Sequence, residues 1–359
     1  PTIEYEDLAK SDNEQDSAVS ERFKLKDRGN RDLSLRYEFT FQLKRIFKEN
    51  PNIKLPFRRY QIGYVFRDEP VEKDRYREFI QCDADIIGDS SINSDAEILS
   101  LGDKICKEIG IKYTLKINSR KLLNSILKKL EIDDTINVLR ELDKIDKIGE
   151  DEVKKNLTKF AEKNQILELF KILKKDLDYF IKQNLDGAQE LSNLLKLCKL
   201  YKINAEFTPF LLRGFSYYTG LVFEAYSDKI KGSLFAGGRF DNLVGKYINR
   251  QIPAIGISLG RILDYPDIEP ETIKLILISI NQENKTIDLM NKLRENNISC
   301  FMMDKISKAL EYANSQNIPN IIFIGEDEVK KQKFKLRNMK TGKEKFLTEK
   351  QLIEELLSY

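Results

Sequence analysis

Histidine is missing altogether from the 359 residues, and with it go Ser-His and Cys-His catalysis, His-ligated zinc and histidine proton shuttles. The chemistry of this chain must use Arg, Asp, Glu, Lys or Tyr. Cysteine is scarce: Cys82, Cys106, Cys198 and Cys300 lie far apart with no C-x-x-C pair, which argues against a zinc cluster or a disulfide framework and fits a reducing compartment. Long apolar runs are also lacking. The longest, such as Leu275 to Ile280, are strand-sized, and the N-terminal stretch carries acids where a leader needs basic residues followed by an apolar run. The expectation is a soluble, cytoplasmic protein with no membrane partner. No charge sign dominates either. With 61 basic and 58 acidic residues the formal sum is +3, so a polyanionic partner would have to meet a local basic surface.

At roughly 150 residues per domain the length predicts two or three domains. From Pro1 to about Asp89 the pattern reads as short strands and one helix, and Ile92 to Ile109 as a helix with apolar spacing at Ile98, Leu101 and Ile105. Between about Lys121 and Lys202 the periodicity is helical, broken by glycine only at Gly149 and Gly187 and free of proline, which predicts an inserted helical subdomain. Strand patterns return at Phe207 to Tyr226 and Pro253 to Gly260. An acidic, turn-rich stretch bracketed by Pro266 and Pro270 reads as a linker. Beyond it, apolar strands at Leu275 to Ile280, Ser299 to Met303 and Asn320 to Ile324 alternate with helical text at Thr286 to Glu295 and Ile306 to Ser315, a small α/β domain. Its end gathers Lys330, Lys331, Lys333, Lys335, Arg337, Lys340, Lys343 and Lys345 against Glu344, either a solvated hairpin or an RNA phosphate contact.

The densest signal is Phe57 to Gly88, two antiparallel strands joined by a loop near Pro70 to Asp74. Period-2 counting puts Arg59, Gln61, Gly63, Val65, Arg67 and Glu69 on one face of the first strand and Tyr60, Ile62, Tyr64 and Phe66 on the other. The second strand alternates Arg77, Gln81, Asp83 and Asp85 with Ile80, Cys82, Ala84 and Ile86. One face is expected to be core and the other polar. Pairing Glu69 with Arg75 sets Arg67 opposite Arg77, an arrangement that favours an anion lying over the arginines. An ordinary solvated sheet face is the plainer reading.

FRRYQIGYVFRDEP followed by RYREFIQCDADIIG resembles the second class-defining motif of the class II aminoacyl-tRNA synthetases, and specifically of the histidyl-tRNA synthetase family. The resemblance implies that Arg67 holds the ATP α-phosphate, that Glu69 lies near the adenine end, and that Arg75 helps with the outer phosphates. It implies further that Gln81 and Asp85 belong to the amino-acid pocket, Asp85 accepting from the substrate imidazole. DRGNRDLSLRYEFT is similar to the family's arginine-rich turn and strand, which gives Glu38 and Thr40 the substrate α-amino group; read alone, the two share strand parity and could merely be exposed. LLRGFSYYTGLVFEA looks like the histidine-specific signature, making Arg213 the catalytic arginine and Tyr217 and Tyr218 pocket walls, with Tyr218 as the second imidazole bond. Ser216 departs from the family's usual aspartate. Without the family, paired tyrosines in an apolar strand would read as core, but a charged Arg213 there needs a partner.

SLFAGGRFDNLV is similar to a glycine-rich turn whose Gly237, Gly238 and Arg239 border the active site. PAIGISLGRIL resembles the third motif, with Gly256, Ser258 and Gly260 leaving a flat surface for adenine and Arg261 stacking on its other face; here the arginine follows the last glycine at once, earlier than in the family. PTIEYEDL resembles the end of the first motif, most of which is absent; that motif builds the family's dimer interface, so a homodimer is implied by resemblance alone. INSRKLL and LDKIDKIG carry the likeness into the helical insertion, Ser119 standing where the family commonly has histidine, and NIIFIGEDEVKKQKFKLRNMKTGK resembles its anticodon-binding domain.

The expected fold is therefore α+β: a class II synthetase-like antiparallel-sheet catalytic domain over 1–265, with a helical insertion at about 121–202, and an α/β anticodon-binding domain over 272–359. The implied activity is that of a histidine-tRNA ligase, using L-histidine, ATP with Mg2+ and tRNA(His), with no organic cofactor and no protein-bound metal. The alternatives are a non-catalytic relative that senses histidine as the regulatory subunit of ATP phosphoribosyltransferase, which lacks an anticodon domain and tends to lose the catalytic arginine, or a plain RNA-binding module.

Overall fold

The computed structural model describes residues 1–9, 21–71, 76–213, 216–229, 232–260 and 274–357. The linker read at Pro266 to Pro270, together with Arg75 and Arg261, lies outside them. The chain divides into two compact units, Pro1–Ile268 and Glu269–Tyr359.

In the first unit a small antiparallel sheet of order β1-β3-β2 (β1 Ile3–Tyr5, β2 Lys24–Lys26, β3 Asp32–Leu35) precedes a seven-stranded sheet. That sheet contains β4 (Phe57–Phe66), β5 (Glu78–Ile87), β6 (Thr114–Ser119), β7 (Ala205–Phe207), β8 (Leu221–Tyr226), β9 (Ser233–Arg239) and β10 (Ala254–Leu259) in the order β4-β5-β10-β9-β8-β6-β7, antiparallel except for β6 beside β7. The helix Ile92–Glu108 covers one face. It buries Ile98, Leu99 and Cys106 in a core shared with β9 and β10, whereas Leu101, expected inward, is 37% exposed. The start of this helix is clamped by Arg239, whose guanidinium reaches Asp95 Oδ1 at 2.6 Å, Ser94 Oγ at 3.0 Å and the Asp89 carbonyl at 3.1 Å. Arg239 thus serves the helix behind the sheet and does not border the site.

The insertion is helical as the periodicity predicts, with helices Arg120–Lys129, Thr135–Leu142, Ile145–Ile148, Glu150–Leu157, Lys163–Ile172, Leu177–Lys182 and Ala188–Leu200. Gly149 and Gly187 sit at φ +84° and +82° directly before the helices that start at Glu150 and Ala188, backbone that L side chains avoid. Its buried leucines and isoleucines merge with the core behind the sheet.

Two expectations fail in this unit. The apolar face of β4 is not core: Tyr60, Ile62 and Tyr64 are 77%, 63% and 50% exposed, and Ile80 on β5 is 37% exposed. Buried instead is the face carrying Gln81, Asp83 and Asp85. Alternation along a strand separates two faces but does not say which will find a cover. Glu38 and Thr40, read on strand parity, lie in an irregular turn between β3 and the helix Leu43–Glu49.

The second unit carries β11 (Leu275–Ser279), β12 (Cys300–Met303), β13 (Asn320–Ile324), β14 (Phe334–Asn338) and β15 (Glu344–Leu347) in the order β12-β11-β13-β14-β15. The first three are mutually parallel, and their connections run through the helices Glu283–Glu295 and Ile306–Ser315. β11 is fully buried, as a parallel strand covered on both faces must be. Of the lysine-rich stretch, Lys330 and Lys331 end the helix Glu326–Lys331, and Lys335 to Lys345 lie on the β14–β15 hairpin.

Candidate active site

The register of β4 on β5 pairs Phe66 with Glu78, and the Arg67 amide donates to the Arg77 carbonyl at 2.8 Å, so Arg67 does stand opposite Arg77. The side chains then part. Arg77 Nε donates to the Glu69 carbonyl at 3.0 Å on an exposed edge. Arg67 turns inward, its guanidinium 4.6 Å from the Tyr37 ring centre and 4.9 Å from that of Phe79, with Nη2 3.3 Å from Gln81 Oε1. Aromatic faces on both sides stabilise the cation while leaving its rim for an anion.

Arg67 opens into a cavity lined by Glu38, Thr40, Gln81, Asp83, Asp85, Arg213, Tyr217, Tyr218, Ala236, Gly237, Phe240, Gly256, Ile257 and Ser258. The eight residues to which the resemblance gave catalytic or histidine-binding roles therefore share one space: Glu38, Thr40, Arg67, Gln81, Asp85, Arg213, Tyr217 and Tyr218. Glu69 does not line it; it lies beside Glu21, whose carboxyl is pushed up by burial and by Glu69's charge. The space above Gly256, expected to take adenine, is filled by Asp85: a Cβ on Gly256 would stand 2.0 Å from Asp85 Oδ1. Ser258 likewise spends its hydroxyl on Asp83.

Three buried carboxyls dominate the electrostatics. Burial pushes Glu38 up to about 7, helped by the charge on Asp83 and opposed by the Phe41 amide, 2.6 Å from its Oε1, and by the Thr40 hydroxyl. Burial also raises Asp83 to about 6 against Ser258, Arg59 and Gln81. It raises Asp85 to about 7, with Arg59 pulling down and Asp83 pushing further up. Arg59, whose Nη2 lies 2.6 Å from Asp85 Oδ2, and Asp83 are site residues that no assigned role anticipated. Their signal was present in the parity that puts Arg59, Gln81, Asp83 and Asp85 on one face.

The Tyr217 and Tyr218 rings lie 4.6 Å apart between centres, tilted at 47°, and Tyr217 packs edge-on against Phe41 and Phe240. Arg213 closes the cavity's other side. Burial alone would lower its pKa, and Tyr218 and Glu224 beside it more than reverse this, so it stays a cation. The insertion reaches this side as well: Asp143 is pushed up by burial and then by the charge of Glu224. Two guanidiniums facing three carboxyls across a phenol-walled cavity suit a ligand with a cationic end and an anionic one.

Such a sheet and cavity, followed by an α/β unit, define the catalytic and anticodon-binding architecture of a class II aminoacyl-tRNA synthetase. The family model described as histidyl-tRNA synthetase matches residues 1–261, and that of the anticodon binding domain matches 273–359. A Bacillus cereus protein named histidine–tRNA ligase 1 is 37% identical over 356 residues, covering 92% of this chain and 82% of the relative. A Clostridium tetani histidine–tRNA ligase is 35% identical, covering 99% and 88%. In fold the chain is similar to the crystal structure of histidyl-tRNA synthetase from Nostoc sp. PCC 7120, with TM-score 0.83 at 24% identity over 100% of this chain and 90% of that one. The chain belongs to the histidyl-tRNA synthetase family.

Proposed function

We propose that the chain joins L-histidine to tRNA(His) in two steps. A carboxylate oxygen of histidine attacks the α-phosphorus of magnesium-bound ATP, the bond to the β-phosphate breaks, and pyrophosphate leaves histidyl-adenylate; the terminal ribose hydroxyl of the tRNA then takes the histidyl group and AMP departs. Arg67 and Arg213 hold the α-phosphate oxygens on which charge builds, at about 3 kcal/mol of transition-state stabilisation per fixed donor. No side-chain base is needed in the first step, since the nucleophile is already an anion. Glu38 and Thr40 take the α-ammonium, Asp85 and Tyr218 the imidazole, and Gln81 and Tyr217 complete the walls. Glu69, Arg75 and Arg261 are assigned to ATP. The observation that carries this reading is the lining of one cavity by Arg67 and Arg213, from distant stretches of chain, together with Glu38, Asp85 and the paired tyrosines.

The catalytic domain is assigned to 1–265 with its insertion at about 121–202, and the anticodon-binding domain to 272–359, where exposed Lys331, Lys333, Lys340 and Lys343 on and around the β14–β15 hairpin offer charge to tRNA phosphates. The exposed apolar face of Tyr60, Ile62, Tyr64 and Ile80 supports a homodimer. No helix among the described residues is long and apolar enough to cross a membrane, and we assign the activity to the cytoplasm, where ATP and tRNA meet. Histidine-dependent ATP–pyrophosphate exchange tests the function. Wild-type protein should exchange, and Arg213→Ala should lose exchange while still binding histidine. Histidine binding without wild-type exchange would favour the regulatory-subunit alternative, and near-normal exchange in Arg213→Ala would remove that residue's role.

A further inference from the structure

Arg213 stands on an irregular segment between β7 and β8, and its long side chain is held from outside that segment. Glu224 on β8 holds it: one carboxylate oxygen lies 2.5 Å from Arg213 Nη1, and the other accepts the Tyr226 hydroxyl. Both members of the pair are largely buried, at 16% and 15% exposure. The rest of the guanidinium is treated differently. Among the described residues its Nε is buried with no hydrogen-bond partner, and Nη2 reaches the Tyr218 hydroxyl at 3.5 Å, on the cavity wall. A guanidinium has two edges that can grip two oxygens at once, one made of Nη1 and Nη2 and one of Nε and Nη2. With Nη1 tied to Glu224, the second edge remains. A buried donor without an acceptor is costly to keep unless a ligand supplies one.

We propose that Glu224 is a positioning residue which, by holding Nη1, turns the Nε–Nη2 edge of Arg213 into the cavity so that it meets an anionic oxygen pair side-on. Tyr226 steadies Glu224 from the same strand. Lys116, the cross-strand neighbour of Glu224 on β6, lies over the Tyr226 ring at 5.3 Å, leaving the carboxylate to Arg213 and Tyr226. The inference deepens the adenylate-forming reading above and rests on it. A carboxylate that merely neutralised a buried cation would affect stability; one that aims the cation affects the rate of the step in which phosphate charge builds.

The test is a cycle of four full-length proteins, wild type, Glu224→Gln, Arg213→Lys and the double variant, assayed by histidine-dependent ATP–pyrophosphate exchange with melting temperatures alongside. Lysine keeps the charge at 213 but has no fork to aim. Glu224→Gln is expected to lower kcat about 30- to 100-fold, the size of a misplaced catalytic group, with KM for ATP and histidine within about threefold. In the Arg213→Lys background it should cost no more than about threefold further. Should Glu224→Gln fail to fold, Tyr226→Phe takes its place, with a fall of about 3- to 10-fold in kcat expected. Wild-type exchange with a variant inside threefold of it overturns the inference alone, as does an equal fall in both backgrounds. Absence of exchange in the wild type overturns the function and the inference with it.

Discussion

Replacing Arg59 by leucine removes the cation facing Asp85. Arg59 Nη2 is 2.6 Å from Asp85 Oδ2, the two side chains being 9% and 3% exposed, and the same guanidinium donates to Gln61 Oε1 and the Phe39 carbonyl at 3.0 and 3.1 Å. Burial holds Asp85 up at about 7 even with this arginine pulling against it. An opposite charge so close keeps a carboxyl down by roughly 1–3 pH units, so its loss should carry Asp85 to about 9. At pH 7.5 Asp85 is then protonated, and a histidine that needs the carboxylate must meet about 2 kcal/mol to ionise it, roughly a 30-fold loss of affinity. Breaking a buried pair commonly costs about 3–5 kcal/mol of stability. Here the orphaned Asp85 takes a proton instead, which should limit the loss to about 1–2 kcal/mol. Titration calorimetry with histidine at pH 7.5 and 9, with urea unfolding beside it, reads both quantities. Unchanged affinity at pH 7.5, or a loss that does not shrink by pH 9, would refute the reasoning.

Glu38, Asp83 and Asp85 in the site and Asp95 under Arg239 all sit above the ordinary carboxyl range, at about 7, 6, 7 and 6. A raised carboxyl stabilises the fold below its unfolded pKa near 4 and loses that contribution as pH climbs through the folded value. The ligand-free protein should therefore unfold at lower urea at pH 8 than at pH 5, and saturating histidine should recover part of the difference; a midpoint that rises from pH 5 to 8 would sink this. Gly256→Ala places a methyl 2.0 Å from Asp85 Oδ1, so histidine affinity should fall at least about tenfold, the price of one displaced charged hydrogen bond. Binding within threefold of wild type would show that Asp85 is not needed there. Ile62→Glu, on the exposed face of β4, should shift the protein from dimer to monomer in analytical ultracentrifugation, and an undisturbed dimer would clear that face of the assignment.

Where a property depended on near neighbours in the chain, it was legible in the sequence. The Arg67 and Arg77 register followed from counting along one hairpin, and the helix Ile306–Ser315 and the breaks at Gly149 and Gly187 came from local periodicity and backbone preference. The motifs that resemble the family are likewise contiguous strings. What the string could not decide was which side of each element is covered. Tyr60, Ile62 and Tyr64 alternate as a core face should, yet stay exposed, while Asp83 and Asp85 on the opposite parity are buried. Arg239 and Arg213 were both expected at the active site. One, at the end of β9, is spent on Asp95 behind the sheet, and the other, on the irregular segment before β8, is held by Glu224 at the cavity wall. Period-2 alternation is a property of one strand, but burial, and with it the pKa of every carboxyl in this site, arises only when strands distant in sequence close around a common space.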